Sequence, residues 1–211
     1  MKILIVAGGS KPSKELLVLE AENSDYIIGV DKGTEYIFEC GQKPDLMVGD
    51  FDSINEEKLN DYRCLGIKIL EYPPEKDYTD TKLAVVKSLE LQVDAVVMLG
   101  CVGGRLDHTL SNVGLLYEYL QAGKEAYIKD DNNTIFMINK PTTFKGTAGN
   151  YFSLIPFGGA VEGLSIEGAK YGLDNYNLDI SSSRTVSNEF TLSPVKIDFK
   201  SGILIVIFSK D

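Results

Sequence analysis

Short, almost wholly apolar runs recur along the first part of the chain, at 3–7, 26–30, 46–48, 67–71, 95–99 and 126–128. Runs of this length, rich in Val and Ile and bounded by polar or turn residues, predict strands. Between them the apolar residues spread to the three- and four-residue spacing of one helix face, which predicts helices over 13–20, 33–40, 54–63, 79–91 and 108–121. Strand and helix in strict alternation predict an α/β domain, its mostly parallel sheet covered on both faces. Start signals agree: Ser53-Ile54-Asn55-Glu56 is a capping-box pattern, and Thr79 or Asp80 could cap the helix that follows.

From about residue 132 the pattern changes to short β-prone stretches broken by Gly, Asn, Asp, Ser and Pro, and helical spacing disappears. That texture predicts an all-β, sandwich-like second domain of antiparallel strands. Ser201-Gly202, between two alternating runs, predicts a hairpin turn. The boundary is expected near 130–133, dividing the chain into 1–130 and 131–211. No repeat, low-complexity tract or long linker separates the two halves.

Composition narrows the function classes. With 211 residues, 44% of them apolar, the chain can bury a conventional core. A formal net charge of −10 without any basic block argues against nucleic acid as a partner. No apolar run approaches the roughly 20 residues that cross a bilayer, and 3–7 is too short for a secretion signal, so no membrane role is expected. Cys40, Cys64 and Cys101 are odd in number and widely spaced, which fits neither a disulfide framework nor a zinc pattern and predicts a reducing, cytoplasmic setting. A single histidine, His108, leaves little material for a histidine-based zinc site or a Ser-His-Asp triad.

Three polar clusters follow predicted strands: Asp50/Asp52, Asp77/Asp80, and Gly103-Gly104-Arg105 with Asp107. In a parallel sheet those positions share the carboxyl edge, where open α/β folds bind ligands. Asp50 and Asp52, two residues apart, could face one hard cation such as magnesium, or could serve as turn and cap. Asp77, Thr79 and Asp80 read equally as ligands or as a helix start. The third cluster is more specific: the glycines admit close approach of a phosphate, Arg105 offers a planar fork, and Asp107 adds a metal ligand or base. Its alternative is a glycine turn with a surface Arg-Asp pair. Gly8-Gly9 and Asp31-Lys32-Gly33-Thr34 are further candidates for nucleotide contact, although neither is a complete phosphate-loop signature. Carboxylates and an arginine gathered at one edge suit phosphoryl-group chemistry.

The segments DKGTEYI (31–37), PDLMVGDFDSI (44–54), EKDYTDTKLA (75–84), GGRLDHTLSN (103–112) and SRTVSNEF (183–190) together resemble the bacterial branch of the thiamine pyrophosphokinases. The resemblance implies an N-terminal nucleotide-binding catalytic domain, a C-terminal β-sandwich that binds thiamine, and a homodimer with thiamine between subunits. It implies a kinase-type transferase that moves the β,γ-diphosphate of ATP onto the hydroxyethyl group of thiamine, with magnesium as cofactor. By position, Asp50, Asp52 and Asp80 resemble the metal-binding carboxylates. Asp52, Asp80, Arg105 and Asp107 resemble catalytic residues. Asp31, Gly33, Asp77, Thr79, Gly103, Gly104 and Arg105 fall among the nucleotide contacts. Ser187, Asn188 and Tyr171 fall on the thiamine side, with a connecting turn and core packing as their plainer readings. Lys82 is a departure, because related sequences differ in where a basic residue follows the acidic motif. Other classes stay open here: a different magnesium-dependent pyrophosphokinase, a nucleotide hydrolase, or a non-catalytic sensor of nucleotide or thiamine.

Overall fold

The structure is a computed structural model and describes residues 1–51, 56–73, 75 and 77–210. Packing divides the chain into two units, Met1–Asp131 and Asn132–Asp211.

In the first unit strands and helices alternate without exception: β1 (Lys2–Val6), α1 (Lys14–Glu22), β2 (Tyr26–Val30), α2 (Gly33–Glu39), β3 (Leu46–Gly49), α3 (Glu56–Cys64), β4 (Lys68–Glu71), α4 (Asp80–Glu90), β5 (Ala95–Leu99), α5 (Leu106–Gln121) and β6 (Glu125–Lys129). The strands lie in the order β6-β5-β1-β2-β3-β4 and every neighbouring pair is parallel. Alternate residues explain why both faces are covered. Leu4, Val6, Val97 and Leu99 bury against Leu17 and Ala21 of α1 and Tyr36 and Ile37 of α2. Their neighbours Ile3, Ile5, Val96 and Met98 are also inaccessible, although they point the opposite way. On β3, Met47 joins Leu59 and Tyr62 of α3 in a further cluster that includes Phe51.

The chain steps outward from β1 to β4, then returns to the other side of β1 for β5 and β6. The carboxyl ends of β1 and β5 therefore mark the point where strand order reverses, the place at which open α/β sheets form a binding crevice. Two glycines line this fork. Gly9 N–H donates to the Gly100 carbonyl at 2.7 Å, and Ser10 N–H to the Val102 carbonyl at 2.7 Å. A Cβ on Gly100 would stand 2.1 Å from the Ala7 carbonyl oxygen, and the residue holds φ +64°. Only glycine tolerates both conditions.

The second unit is a sandwich of two antiparallel sheets. One holds β12 (Asn188–Glu189), β9 (Tyr151–Pro156), β14 (Leu204–Ser209) and β7 (Asn133–Ile138), in that order. The other holds β11 (Leu173–Leu178), β10 (Val161–Glu167), β13 (Val195–Asp198) and β8 (Thr142–Phe144). One core joins them, with Phe152, Leu154, Leu204 and Val206 from the first sheet against Leu164, Ile166, Leu178 and Ile197 from the second.

The expected hairpin at Ser201-Gly202 is not formed. β13 and β14 belong to different sheets, and Ser201 bridges Glu162 instead. Gly202, at φ +109°, turns the chain from one sheet to the other. The reason is burial. Val195 and Ile197 on one side of the turn, and Leu204 and Val206 on the other, are all fully buried and face one shared core from opposite sheets. A hairpin would have placed both strands in a single sheet.

Candidate active site

A cleft of about 580 Å³ opens at the fork between β1 and β5. Its walls come from Gly8, Gly9 and Ser10 after β1, Asp31 and Lys32 after β2, Thr81 in α4, Gly100 to Arg105 after β5, and His108, Thr109 and Asn112 in α5. The parallel sheet accounts for this convergence, since every such strand ends, and every following helix begins, at the same edge. At the mouth stands the N-terminus of α5, a 16-residue helix preceded by Gly103 and Gly104, whose partial positive charge favours an anion.

Side chains from the first turns of α5 reach back to hold this loop. Thr109 Oγ1 accepts from Gly103 N–H at 3.2 Å, and Asn112 Nδ2 donates to the Cys101 carbonyl at 2.8 Å. Cys101 itself is buried, and burial pushes its thiol up to about 12, so it forms a neutral wall. Arg105 lies on the rim and clasps Asp107 through both branches of its fork, Nη2 to Oδ2 at 2.6 Å and Nε to Oδ1 at 3.3 Å. These hydrogen bonds raise the guanidinium's pKa and hold the Asp107 carboxyl below its ordinary value.

The acidic residues occupy neighbouring positions along the edge. Asp31, in the left-handed region at φ 46°, sets its carboxylate over Gly49, where a Cβ would come within 2.1 Å of Oδ1. Asp50 follows β3 and is half-buried. Phe51 after it takes φ 49° and sinks into the core beneath α3, which pins the turn. Strained backbone of this kind concentrates at functional turns. Thr79 is the N-cap of α4, its hydroxyl accepting from Lys82 N–H at 3.3 Å, so capping does not require Asp80, the first helical residue. α4 packs on β2 and β3, which carries its first turn to the same edge as Asp31 and Asp50.

The expected carboxylate trio is only partly described. Asp52, with the capping-box residues Ser53 to Asn55, lies outside the described residues. Among the described residues no three His, Cys, Asp or Glu side chains stand close enough to hold a metal. Asp107 thus does not gather with Asp50 and Asp80 as a third ligand, because it is held by Arg105 on the rim. What Asp50 and Asp80 offer is hard oxygen at strand and helix ends, a donor chemistry that fits magnesium rather than a softer ion.

In the second unit Asn188 is 4% exposed, and its amide is used internally. Oδ1 accepts from Tyr171 N–H at 3.1 Å and Nδ2 donates to the Tyr171 carbonyl at 2.8 Å. Asn188 therefore positions Tyr171, whose ring is exposed with Lys170 Nζ 5.6 Å from its centroid. Ser187 is exposed at φ 57°, its N–H bonded to Ser153 Oγ.

Two family models match most of the chain: "Thiamin pyrophosphokinase, catalytic domain" over residues 18–128, and "Thiamin pyrophosphokinase, vitamin B1 binding domain" over residues 136–204. The chain belongs to the thiamine pyrophosphokinase family. It is 36% identical to the thiamine pyrophosphokinase of Bacillus subtilis over 99% of both chains. A crystal structure of thiamine pyrophosphokinase from Bacillus subtilis superposes with a TM-score of 0.87 at 34% identity, each chain covered completely. A thiamin pyrophosphokinase family protein from Enterococcus faecalis gives 0.86 at 30%, again over the whole of both chains.

Within this thiamine pyrophosphokinase fold, the expected nucleotide contacts Asp31, Gly103, Gly104 and Arg105 share the cleft. Gly33 is packed beneath it, where a Cβ would meet the Val6 carbonyl oxygen at 2.0 Å. Asp77 and Thr79 are exposed beside the start of α4. Lys82 acquires a definite place, paired with Glu118 of α5, where it ties the two helices together. Lys32, from the Asp31-Lys32-Gly33-Thr34 candidate, also lines the cleft, as do His108, read from sequence only as the lone histidine, and Ser10, Thr81, Thr109 and Asn112, which motif reasoning does not single out. The spacing of His108 and Asn112, four residues apart, would have put them on one face of α5.

Proposed function

We propose that this chain transfers the β,γ-diphosphate of ATP to the hydroxyethyl oxygen of thiamine, yielding thiamine diphosphate and AMP. Its membership of the thiamine pyrophosphokinase family over nearly the full length carries the assignment. The cleft at the β1/β5 fork supports it, because the helix start after Gly103-Gly104 and the Arg105 fork suit a polyphosphate.

In this reading the hydroxyl oxygen attacks the β-phosphorus, a P–O bond forms, and the bond from the β-phosphorus to the α,β-bridging oxygen breaks. The electron pair leaves with AMP. Arg105 exchanges Asp107 for phosphate oxygens and stabilises charge that builds as the diphosphate moves. Asp107, released from that pair, is positioned to take the hydroxyl proton. Asp50 and Asp80, with Asp52, would hold magnesium, which neutralises phosphate charge when bound. Asp31 and Lys32 line the nucleotide side, with Gly33 packed below and Asp77 and Thr79 at the head of α4. Ser187 and the exposed Tyr171 ring, held by Asn188, contact thiamine.

The chain would work in the cytoplasm as a homodimer, with thiamine between subunits. Among the described residues no helix is long and apolar enough to cross a membrane, which accords with that setting. Leu106 and Leu110, 72% and 73% exposed on one face of α5, offer apolar surface for a second copy.

The direct test is AMP formation from ATP with and without thiamine, at fixed magnesium. AMP and thiamine diphosphate appearing together, in equal amounts and only when thiamine is present, is the expected result. AMP without thiamine would indicate a nucleotide hydrolase. Thiamine raising the melting temperature with no AMP formed would indicate a sensor.

A further inference from the structure

Lys82, the departure within the acidic motif, has no part in the chemistry above. Three contacts meet at this one residue. Its N–H donates to Thr79 Oγ1 at 3.3 Å, its ammonium pairs with Glu118 of α5, and Nζ stands 5.8 Å from the centroid of the Tyr78 ring. The paired side chains are 22% and 33% exposed, so water screens them less than it screens Arg105 and Asp107 on the rim.

These contacts fall where α4 has least other support. Ala84, Val85 and Ser88 are buried, and Ser88 Oγ meets the Tyr119 hydroxyl at 2.5 Å, which seats the helix on α5 from its second turn onward. Before that turn Asp77, Tyr78 and Thr79 are exposed, and Asp80 to Leu83 only half-buried. A helix start of this kind, with N–H groups that have no helical partner, is the part that opens first. Lys82 gathers Tyr78, Thr79 and Glu118 onto one side chain and so fastens the acidic motif to α5. The motif carries Asp80, and α5 carries the turn at Gly103-Gly104-Arg105 that suits phosphate. The pair therefore governs where that carboxylate stands relative to that turn.

We infer that Lys82, through its pair with Glu118, is a positioning residue that holds Asp80 in place for magnesium. The inference rests on the reading of Asp80 as a metal-binding carboxylate and deepens it by naming what fixes that carboxylate. A purely electrostatic role would act with the opposite sign. Lys82 lies two residues from Asp80, and a cation there repels a divalent ion. Removing the charge alone would strengthen magnesium binding, whereas releasing the turn weakens it.

The variants that test this are Lys82→Met, Glu118→Gln, the two combined, and Lys82→Arg. Two quantities are measured on the full chain: amide hydrogen exchange over 77–84 without nucleotide or metal, and the free magnesium that half-activates AMP formation at saturating ATP and thiamine. Lys82→Met should exchange about three- to fivefold faster over that segment and require about three- to fivefold more magnesium, with kcat at saturating magnesium within about twofold of the unmodified chain. Glu118→Gln should behave alike, the combined variant no worse than either, and Lys82→Arg should stay within about twofold of the unmodified chain in both measurements. Should one single variant fail to fold, the other carries the test. A lower magnesium requirement in Lys82→Met would overturn the inference in favour of charge alone. Unchanged exchange, additive effects in the combined variant, or faster exchange with an unchanged magnesium requirement would overturn it as well. Asp80→Asn with an unaltered magnesium requirement would reject the metal reading of Asp80 and this inference with it, a result distinct from a failure of the Lys82 variants alone.

Discussion

Arg105 and Asp107 sit 73% and 64% exposed on the rim of the cleft, so water weakens their pair and phosphate can displace the carboxylate at small cost. What the guanidinium supplies is geometry, two parallel donors in one plane. Arg105→Lys keeps the charge and removes that plane, so kcat/KM for ATP should fall by about 10- to 100-fold with the melting temperature unchanged. Steady-state kinetics with a thermal melt checks this, and unaltered kinetics would reduce Arg105 to a surface residue. A second charged group is structural. Glu20 is 5% exposed and accepts from Lys129 at 2.6 Å and Lys2 at 3.0 Å. Burial alone would raise its carboxyl pKa, but the two ammonium groups outweigh it and hold the carboxyl below its ordinary value. Its stabilising contribution is therefore complete above the unfolded value of about 4.3 and disappears as pH falls through the lower folded value. Glu20→Gln should cost roughly 1–3 kcal/mol at pH 7 and flatten the acid limb of stability. Melts from pH 7 to pH 3 that run parallel for the two proteins would count against the trio. No sequence motif marks Glu20, because its partners are 18 and 109 residues away.

At the level of elements, local pattern reached some features and not others. The spans of β2 and β5 match their apolar runs, because each run is bounded by polar residues and buried along most of its length. α5 begins two residues before its expected start, at Leu106, since exposed Leu106 adds nothing to a periodicity of buried positions. Thr79, one of two possible caps, is the one used, and a Thr hydroxyl suits that role. Gly8-Gly9 had weak standing as a motif, yet it borders the cleft, because its importance arises from pairing with Gly100 across the sheet fork. The misplaced hairpin at Ser201-Gly202 has a similar origin: a turn dipeptide specifies a bend, but which strands then pair is decided by the core they share. Gly100→Ala tests the fork. A Cβ set 2.1 Å from the Ala7 carbonyl oxygen at φ +64° should destabilise the fold by roughly 2–4 kcal/mol. Urea unfolding is the measurement, and a loss below about 0.5 kcal/mol would mean that the fork adjusts freely.

For the whole molecule, alternation followed by a β-rich stretch was enough to establish fold class, and the ordered motifs were enough to suggest the family. Positive-φ Asp31 and Phe51, the Asn112 bond to Cys101, and Asn188 clasping Tyr171 were not legible, since each depends on backbone brought together from separate segments. Assembly gives a prediction at this scale. Sedimentation should yield twice the 23.2 kDa chain mass, and Leu110→Glu on the exposed face of α5 should shift the species toward one chain. A single-chain mass for the unmodified protein would remove the dimer. The crossing at Gly202 has a kinetic consequence. β14 occupies an interior place between β7 and β9, so those two strands have no common neighbour until it inserts between them. Closure of the sandwich must await a segment some fifty to seventy residues downstream of its partners, which makes this half the slower to mature and the more exposed to misassociation while its ladder stands open.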